Sequence, residues 1–385
     1  MWRILVLAAS LLACGGAGAH EPVLSLRVAG EVETVFSWTR DRCADDDIPD
    51  APARAFRDGA GSVHLIAAHW RNRALTGPGL DAVRPDCRIL FEAGGDADPA
   101  AFDDRVWLAA FYPVDRQTIV ALGHMEYQGH RHAGRCSAAS YRACWRNSVI
   151  QLLSTDGGRS FGPPGTDRRA AVVATLPDPD DGGAGRPIGY FSPSNIVRLG
   201  DHLYAFLFAE GYGPQVRGPC LLRTDRIIDP AAWRAFDGQG FTIPLDQRRP
   251  APVWRGCAPV RAAGATITTV ARVRGTDRFI ALIAAVRSPG EGQPARPGIW
   301  YLVSDDLLTW SEPHLLLEAP LMFARRCGDP EAFAYPSLLD PDSPSPTFES
   351  VGDRAWLYLT RFNMRTCELS QDRDLVRIPV AIRSR

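Results

Sequence analysis

The sequence predicts an all-β protein in which four-stranded sheets repeat around a ring, and two observations carry that expectation. First, apolar runs are short, rich in Val, Ile, Leu and aromatic residues, and closed by Gly, Pro or Asp, as at 63–70, 106–112, 118–127, 148–153, 203–209, 279–285, 299–303 and 354–362. That is the pattern of strands and tight turns, with no long helical period. Second, a turn motif recurs. Ser154-Thr155-Asp156-Gly157-Gly158-Arg159-Ser160-Phe161 fits S-x-D-x-G-x-[ST]-[WF]. Ser304-Asp305-Asp306-Leu307-Leu308-Thr309-Trp310 is a shorter relative without the glycine, and Arg223-Thr224-Asp225 followed by Trp233 is a degenerate third copy. The three aspartates lie 69 and 81 residues apart, about the length of a four-stranded blade with its loops. The fold class is therefore a disulfide-bonded five-bladed β-propeller, with six blades as the alternative, in a single domain over 20–385.

Along the chain, Met1-Trp2-Arg3 followed by the apolar run 4–13 and Ala17-Gly18-Ala19 reads as an export signal cleaved before His20. Leu11-Leu12-Ala13-Cys14 offers a competing lipoprotein route through Cys14. Blades are expected at 50–98, 100–168, 188–248, 250–316 and 330–385. The last has three strands of its own, and residues 23–38 supply its fourth and close the ring. The Asp/Pro/Gly-rich stretch 177–187 reads as a connection, and 341–347 as a loop.

Besides Cys14 there are eight cysteines, an even number that in an exported chain reads as disulfides. Neighbour pairing is expected, with Cys136–Cys144 the most local. The absence of a C-x-x-C pair argues against a zinc ribbon. A net charge of −1 points neither to nucleic acid nor to an anionic membrane surface, and no later apolar run is long enough for a transmembrane segment. The chain contains no lysine, which rules out Schiff-base and P-loop lysine chemistry. No cofactor is called for, although an ion in the central channel stays open. Secreted or periplasmic location, a monomer and a carbohydrate partner are the expectations.

Blade topology turns the repeat into a site. The start of each first strand and the end of each second strand share one rim, while the turn between strands three and four, which holds the repeated motif, lies at the other. The second strands end in His69, in His124 and Glu126, in Glu210, in Arg287 and in Arg361. The first strands begin near Asp50 and Arg54, Asp103 and Asp104, Ser194 and Asn195, and Tyr335. His124 and Glu126, two apart on a strand, share one face. His124, Glu126, His130 and His132 also make a weaker candidate metal set, against the plainer reading of a polar rim loop. Glycoside hydrolysis needs one protonated carboxyl group and one carboxylate, so Asp50, Asp104, Glu126 and Glu210 are the catalytic candidates. Arg54, His69, His124, Asn195, Arg287, Tyr335 and Arg361 are the substrate-binding candidates.

The repeated turn resembles the Asp-box of sialidase-like propellers, and its S-x-D-x-x-x-W variant resembles turns of five-bladed glycosidases of the arabinanase-like and invertase-like kinds. Tyr335-Pro336-Ser337-Leu338-Leu339-Asp340 is similar to segments of an exported bacterial sialidase-like family without assigned function. By placement, the arabinanase-like resemblance implies Asp50 as base, Asp104 (or Asp103) as pKa modulator, and Glu126 or Glu210 as acid. The sialidase model implies an arginine cluster with a tyrosine nucleophile, for which Arg54, Arg287, Arg361 and Tyr335 supply parts. Phe56-Arg57-Asp58 lacks the Ile-Pro of the sialidase F-R-I-P motif.

Overall fold

Five blades of antiparallel strands form the ring in the computed structural model, which describes residues 24–384 except 138–139, 178–184, 249–254, 262 and 291. The export signal and Cys14 lie outside the described residues. Blade one is Arg54–Arg57, Val63–Ile66, Asn72–Gly77 and Arg84–Phe91. Blade two is Arg105–Pro113, Ile119–Gln128, Trp145–Ser154 and Val172–Thr175. Blade three has a broken inner strand, Ile188–Phe191 and Val197–Leu199, followed by His202–Glu210, Gly218–Thr224 and Arg234–Phe236. Blade four is Thr269–Val273, Phe279–Arg287, Arg296–Ser304 and His314–Glu318. Blade five is Glu331–Leu339, Arg354–Asn363 and Arg373–Ser384, completed by Leu24–Val28, which pairs antiparallel with Arg373–Ser384. The expected closing strand from the beginning of the chain is thus present.

Each blade is buried on both faces, which explains the near-continuous apolar strands. In His202–Glu210, Leu203, Ala205, Leu207 and Ala209 pack toward blade two, while Tyr204 and Phe206 pack toward blade four. Alternation along one strand therefore feeds two cores. Five such clusters, one between each pair of neighbouring blades, run around the ring. Blades two and three are also stitched by a short parallel pairing, Ile188 with Arg146 and Gly189 with Asn147. Gly189 has φ 107°, and a Cβ there would lie 2.0 Å from the Asn147 carbonyl oxygen, so this close approach admits only glycine.

The hub of the ring is Arg54, predicted from its position to bind substrate. It is 2% exposed and lies under the rim rather than on it. Its Nε donates to the Ala109 carbonyl at 2.7 Å. Nη1 donates to the Ala53 carbonyl and to Ser337 Oγ, both at 3.3 Å. Nη2 donates to the carbonyls of Pro193 at 3.3 Å and Thr268 at 2.5 Å. A guanidinium has five N–H donors, and these five acceptors come one from each blade. Burial pulls the group down to about 9, so it stays protonated at neutral pH. The position left open for a channel ion is held by a cation of the chain itself.

The predicted turns form on the far rim. Ser154 Oγ and Ser160 Oγ donate to Asp156, whose Oδ1 also accepts the N–H groups of Arg159 and Ser160 at 3.0 Å. The Gly157 N–H reaches the Gln117 carbonyl in the turn between strands one and two, at the end of the blade away from Glu126. Asp306 repeats the arrangement with Leu308 and Thr309, and Leu307, at φ 65°, takes the left-handed conformation that Gly157 takes at 78°. The third copy differs. Asp225 is an exposed residue 3.9 Å from Arg226, and backbone N–H groups downstream are accepted by Asp229, from Ala231, and by Asp237, from Gln239 and Gly240.

The disulfides pair neighbours as expected: Cys43–Cys87, Cys136–Cys144, Cys220–Cys257 and Cys327–Cys367. Cys220–Cys257 is buried and closes 37 residues, against 8 for Cys136–Cys144. Chain-entropy arithmetic gives about 4 kcal/mol for the first and about 2.5 kcal/mol for the second. Urea unfolding of the paired Cys→Ala variants should rank them in that order. The reverse order would mean that native-state packing, not the unfolded chain, sets the effect.

Candidate active site

Two elements of blade one set the position of Asp50. Its N–H donates to the Ala67 carbonyl at 2.8 Å, which pins the segment before the first strand to the end of the second. The carboxylate then meets three donors: Trp107 Nε1 at 3.2 Å, the Tyr335 hydroxyl at 3.3 Å, and the Arg373 guanidinium. His69 Nε2 stands 3.9 Å away, and burial lowers the pKa of that imidazole. Three donors thus converge on one carboxyl group, which accepts from all of them. Tyr335 reaches Asp50 from φ 57°, where the pairing of its strand shifts register between Ala334 and Ser337. A left-handed tyrosine costs about 1 kcal/mol or more, so the bond to Asp50 is made from a strained backbone.

Glu126 is the opposite kind of carboxyl group. Only 13% of its side chain is exposed. Burial pushes it up to about 8, and the charges of Asp50 and Asp104 push the same way against a hydrogen bond from Gln128 and the attraction of Arg105. Its one close donor is Gln128 Nε2 at 2.8 Å. Near neutral pH it is mainly a carboxylic acid. His124, on the same strand face, has Nε2 3.8 Å from Glu126 and 3.0 Å from Asn147 Oδ1. The Asn147 amide nitrogen donates to the Ile188 carbonyl, which leaves Oδ1 as an acceptor and assigns the His124 proton to Nε2. Burial lowers His124 to about 4. It is a neutral ring stacked against Phe191 at 5.8 Å.

These groups share one cavity of about 410 Å³, lined by Asp50, Trp107, His124, Glu126, Trp145 and Glu210 among others. Tyr335 lines it too. Asp104 does not. It is a buried residue behind Glu126, accepting from the Gln128 N–H at 2.8 Å, with His132 Nε2 at 3.1 Å. Asp103 pairs with Arg168 at 2.9 Å. Glu210 sits at the cavity edge, held by Arg217 at 3.0 Å and Arg186 at 3.8 Å. Arg287 lines an adjoining lobe and donates to the Ala263 carbonyl.

Three predicted binding residues are spent elsewhere. Arg54 is the hub. Asn195 bonds the Val270 backbone and Thr269, joining blades three and four. Arg361 is paired with Asp374 at 2.8 Å within blade five. Conversely, the sequence reading missed Arg373, Trp107, Trp145, Asn147 and Phe191. A signal for three of these exists. Third strands start at the rim where second strands end, and Trp145, Asn147 and Arg373 occupy such starts. Among the described residues, no group of three or more His, Cys, Asp or Glu is arranged to hold a metal ion.

No family model matches the sequence, and no curated protein matches it. Solved structures similar to it include the Cellvibrio cellulosa alpha-L-arabinanase, at 11% identity over 82% of this chain and 87% of that one, with a TM-score of 0.43. The alpha-L-arabinofuranosidase from Lactobacillus brevis has 10% identity over 89% and 94%, with a TM-score of 0.48. The catalytic domain of the Coprinopsis cinerea GH62 alpha-L-arabinofuranosidase has 8% identity over 94% and 97%, with a TM-score of 0.46. At such identities the likeness concerns the fold, and no residue role is transferred from them.

Proposed function

We propose that this chain is a glycoside hydrolase acting outside the cytoplasm on a carbohydrate bound at the Asp50–Glu126 rim. One observation carries the reading: a single cavity presents a buried carboxyl group, Glu126, pushed up to about 8 with one close donor, and a second, Asp50, that accepts from three donors. Glycosidic cleavage needs that pairing. Glu126 gives its proton to the leaving oxygen. Asp50 acts on the other side of the anomeric carbon, as base toward water or as nucleophile. Asp104 has the modulator role, its negative charge behind Glu126 helping to keep the acid protonated. Glu210 is the lesser candidate for the acid, because two guanidinium groups engage its carboxylate. Trp107, Trp145 and Phe191 offer apolar walls to the faces of a sugar ring. The Asp156 and Asp306 turns are read as Asp-boxes and serve as scaffold. The four disulfides support an oxidising compartment.

Purified, oxidised protein should hydrolyse at least one member of a panel of aryl glycosides and polysaccharides. Asp50→Asn should lower turnover of that substrate by roughly 10²–10⁴-fold. If no member is cleaved while glycans still bind to the wild type and not to the Asn variant, the rim is a binding site and the hydrolase reading fails.

A further inference from the structure

The Asp50–Glu126 cavity carries more positive charge than its acids balance. Three carboxyl groups line it: Asp50, Glu126 and Glu210. Asp50 is paired with Arg373, and Glu210 with Arg217 at 3.0 Å. Burial raises Glu126 to about 8, so it brings little negative charge near neutral pH, and behind it the charges of Asp104 and Arg105 oppose each other. Two further arginines, Arg142 and Arg186, line the same cavity.

Neither guanidinium is used up by the protein. The Arg142 backbone N–H donates to the Ser140 hydroxyl, but among the described residues no carboxylate or carbonyl accepts from its side chain. Arg142 stands two residues before Cys144, inside the short loop closed by the Cys136–Cys144 bond, which tethers it at the rim. Arg186 is placed by the backbone: Nη2 donates to the Gly211 carbonyl at 2.7 Å and Nη1 to the Pro187 carbonyl at 3.3 Å. Glu210, already paired with Arg217, lies 3.8 Å away. A guanidinium has five N–H donors, so most of those on Arg186 remain for a ligand. The two arginines enter the rim from adjacent segments. Arg142 precedes Trp145–Ser154 and Arg186 precedes Ile188–Phe191, and these strands pair in parallel with Ile188 opposite Arg146. A guanidinium matches the paired oxygens of an oxyanion, and a cleft lined by one sign of charge concentrates ligands of the other.

We infer that the substrate sugar carries an oxyanion, a carboxylate or a sulfate ester, which Arg142 and Arg186 receive beside Trp145. The inference rests on the hydrolase reading above and narrows its substrates to acidic glycans. The oxyanion takes no part in the bond changes. Water adds across the anomeric C–O bond, its hydroxyl going to the sugar and its proton, by way of the carboxyl pair, to the leaving oxygen.

Two measurements on the full oxidised chain test it separately from the hydrolase reading. The first compares para-nitrophenyl glucuronide with the glucoside, and galacturonide with the galactoside, in both anomers. A glucoside sulfate run beside them tells a sulfate site from a carboxylate site. The value of kcat/KM should be roughly 10- to 100-fold higher for one acidic form than for its neutral partner, the worth of a hydrogen bond to a charged group. That advantage should shrink with added salt and fall roughly tenfold in Arg142→Ala and in Arg186→Gln. Arg142 is exposed, so its variant should fold. Cleavage of neutral members as fast as both acidic forms overturns the inference and leaves the hydrolase reading standing. Where no member is cleaved, the second measurement decides: calorimetric titration with oligogalacturonate and sulfated cello-oligosaccharide against neutral cello-oligosaccharide. Saturable binding of an acidic oligosaccharide that is weakened in both arginine variants supports the oxyanion site, and the hydrolase reading alone has then failed. Binding unchanged in both variants, or no saturable binding of either acidic oligosaccharide to the wild type, overturns the inference.

Discussion

Glu126→Gln should reduce turnover by roughly 10²–10⁴-fold, the usual worth of a positioned general acid, while making the protein more stable at alkaline pH. Both effects come from the same burial. Glutamine keeps the shape of the side chain and can still accept from Gln128, but it has no proton to give. In the wild type burial pushes the folded carboxyl group up to about 8 from its ordinary 4.5, so the folded chain binds this proton more tightly than the unfolded one. The stability due to the group is therefore complete below about pH 4.5 and is lost as pH rises through about 8. The size of that loss is on the order of a few kcal/mol. Urea unfolding at pH 5 and pH 9 should show a fall in the wild type that is smaller in the glutamine variant. The rate profile carries the matching sign, with activity lost as pH climbs through about 8 because the acid has ionised. His124, lowered to about 4, stays neutral over this range and adds no inflection near its ordinary value. An alkaline limb that persists unchanged in residual Glu126→Gln activity would assign the acid to another group.

The second large effect is on the fold. Arg54→Lys should cost about 3 kcal/mol or more. An ammonium has three donors, so at least two of the five acceptors around Arg54 lose their partner. Each unpaired buried acceptor costs about 1–3 kcal/mol, and the charge stays buried with fewer bonds. Arg54→Met removes the charge and all five donors; the Ala53 carbonyl keeps the Ser337 hydroxyl at 2.6 Å, but the Ala109, Pro193 and Thr268 carbonyls lose the guanidinium, and this variant should be destabilised at least as much. Equilibrium unfolding followed by tryptophan fluorescence measures both. A loss under about 1 kcal/mol in the lysine variant would show that water or a shifted backbone replaces the guanidinium.

Strand identity and the ring were legible because they rest on local chemistry. Runs such as Phe279–Arg287 alternate between two buried faces, and the Ser-Asp turns fix their geometry within a few residues. The closing strand, Leu24–Val28, was legible because the last blade was one strand short. The rim was legible in part: Asp50, His124, Glu126, Glu210 and Tyr335 do converge. Arg54 and Asn195 were misplaced because their partners are mostly backbone groups of other blades, which leave no trace in side-chain patterns. Arg361 was misplaced because its partner Asp374 lies on the neighbouring strand and faces away from the cavity. Arg373 was missed because only two of the three strand ends at that rim were read.

The same arginine that joins the blades also governs traffic. With a guanidinium filling the axis beneath the cavity, the ring has no through-passage at that level. Whatever enters on the Asp50 side must leave on that same side.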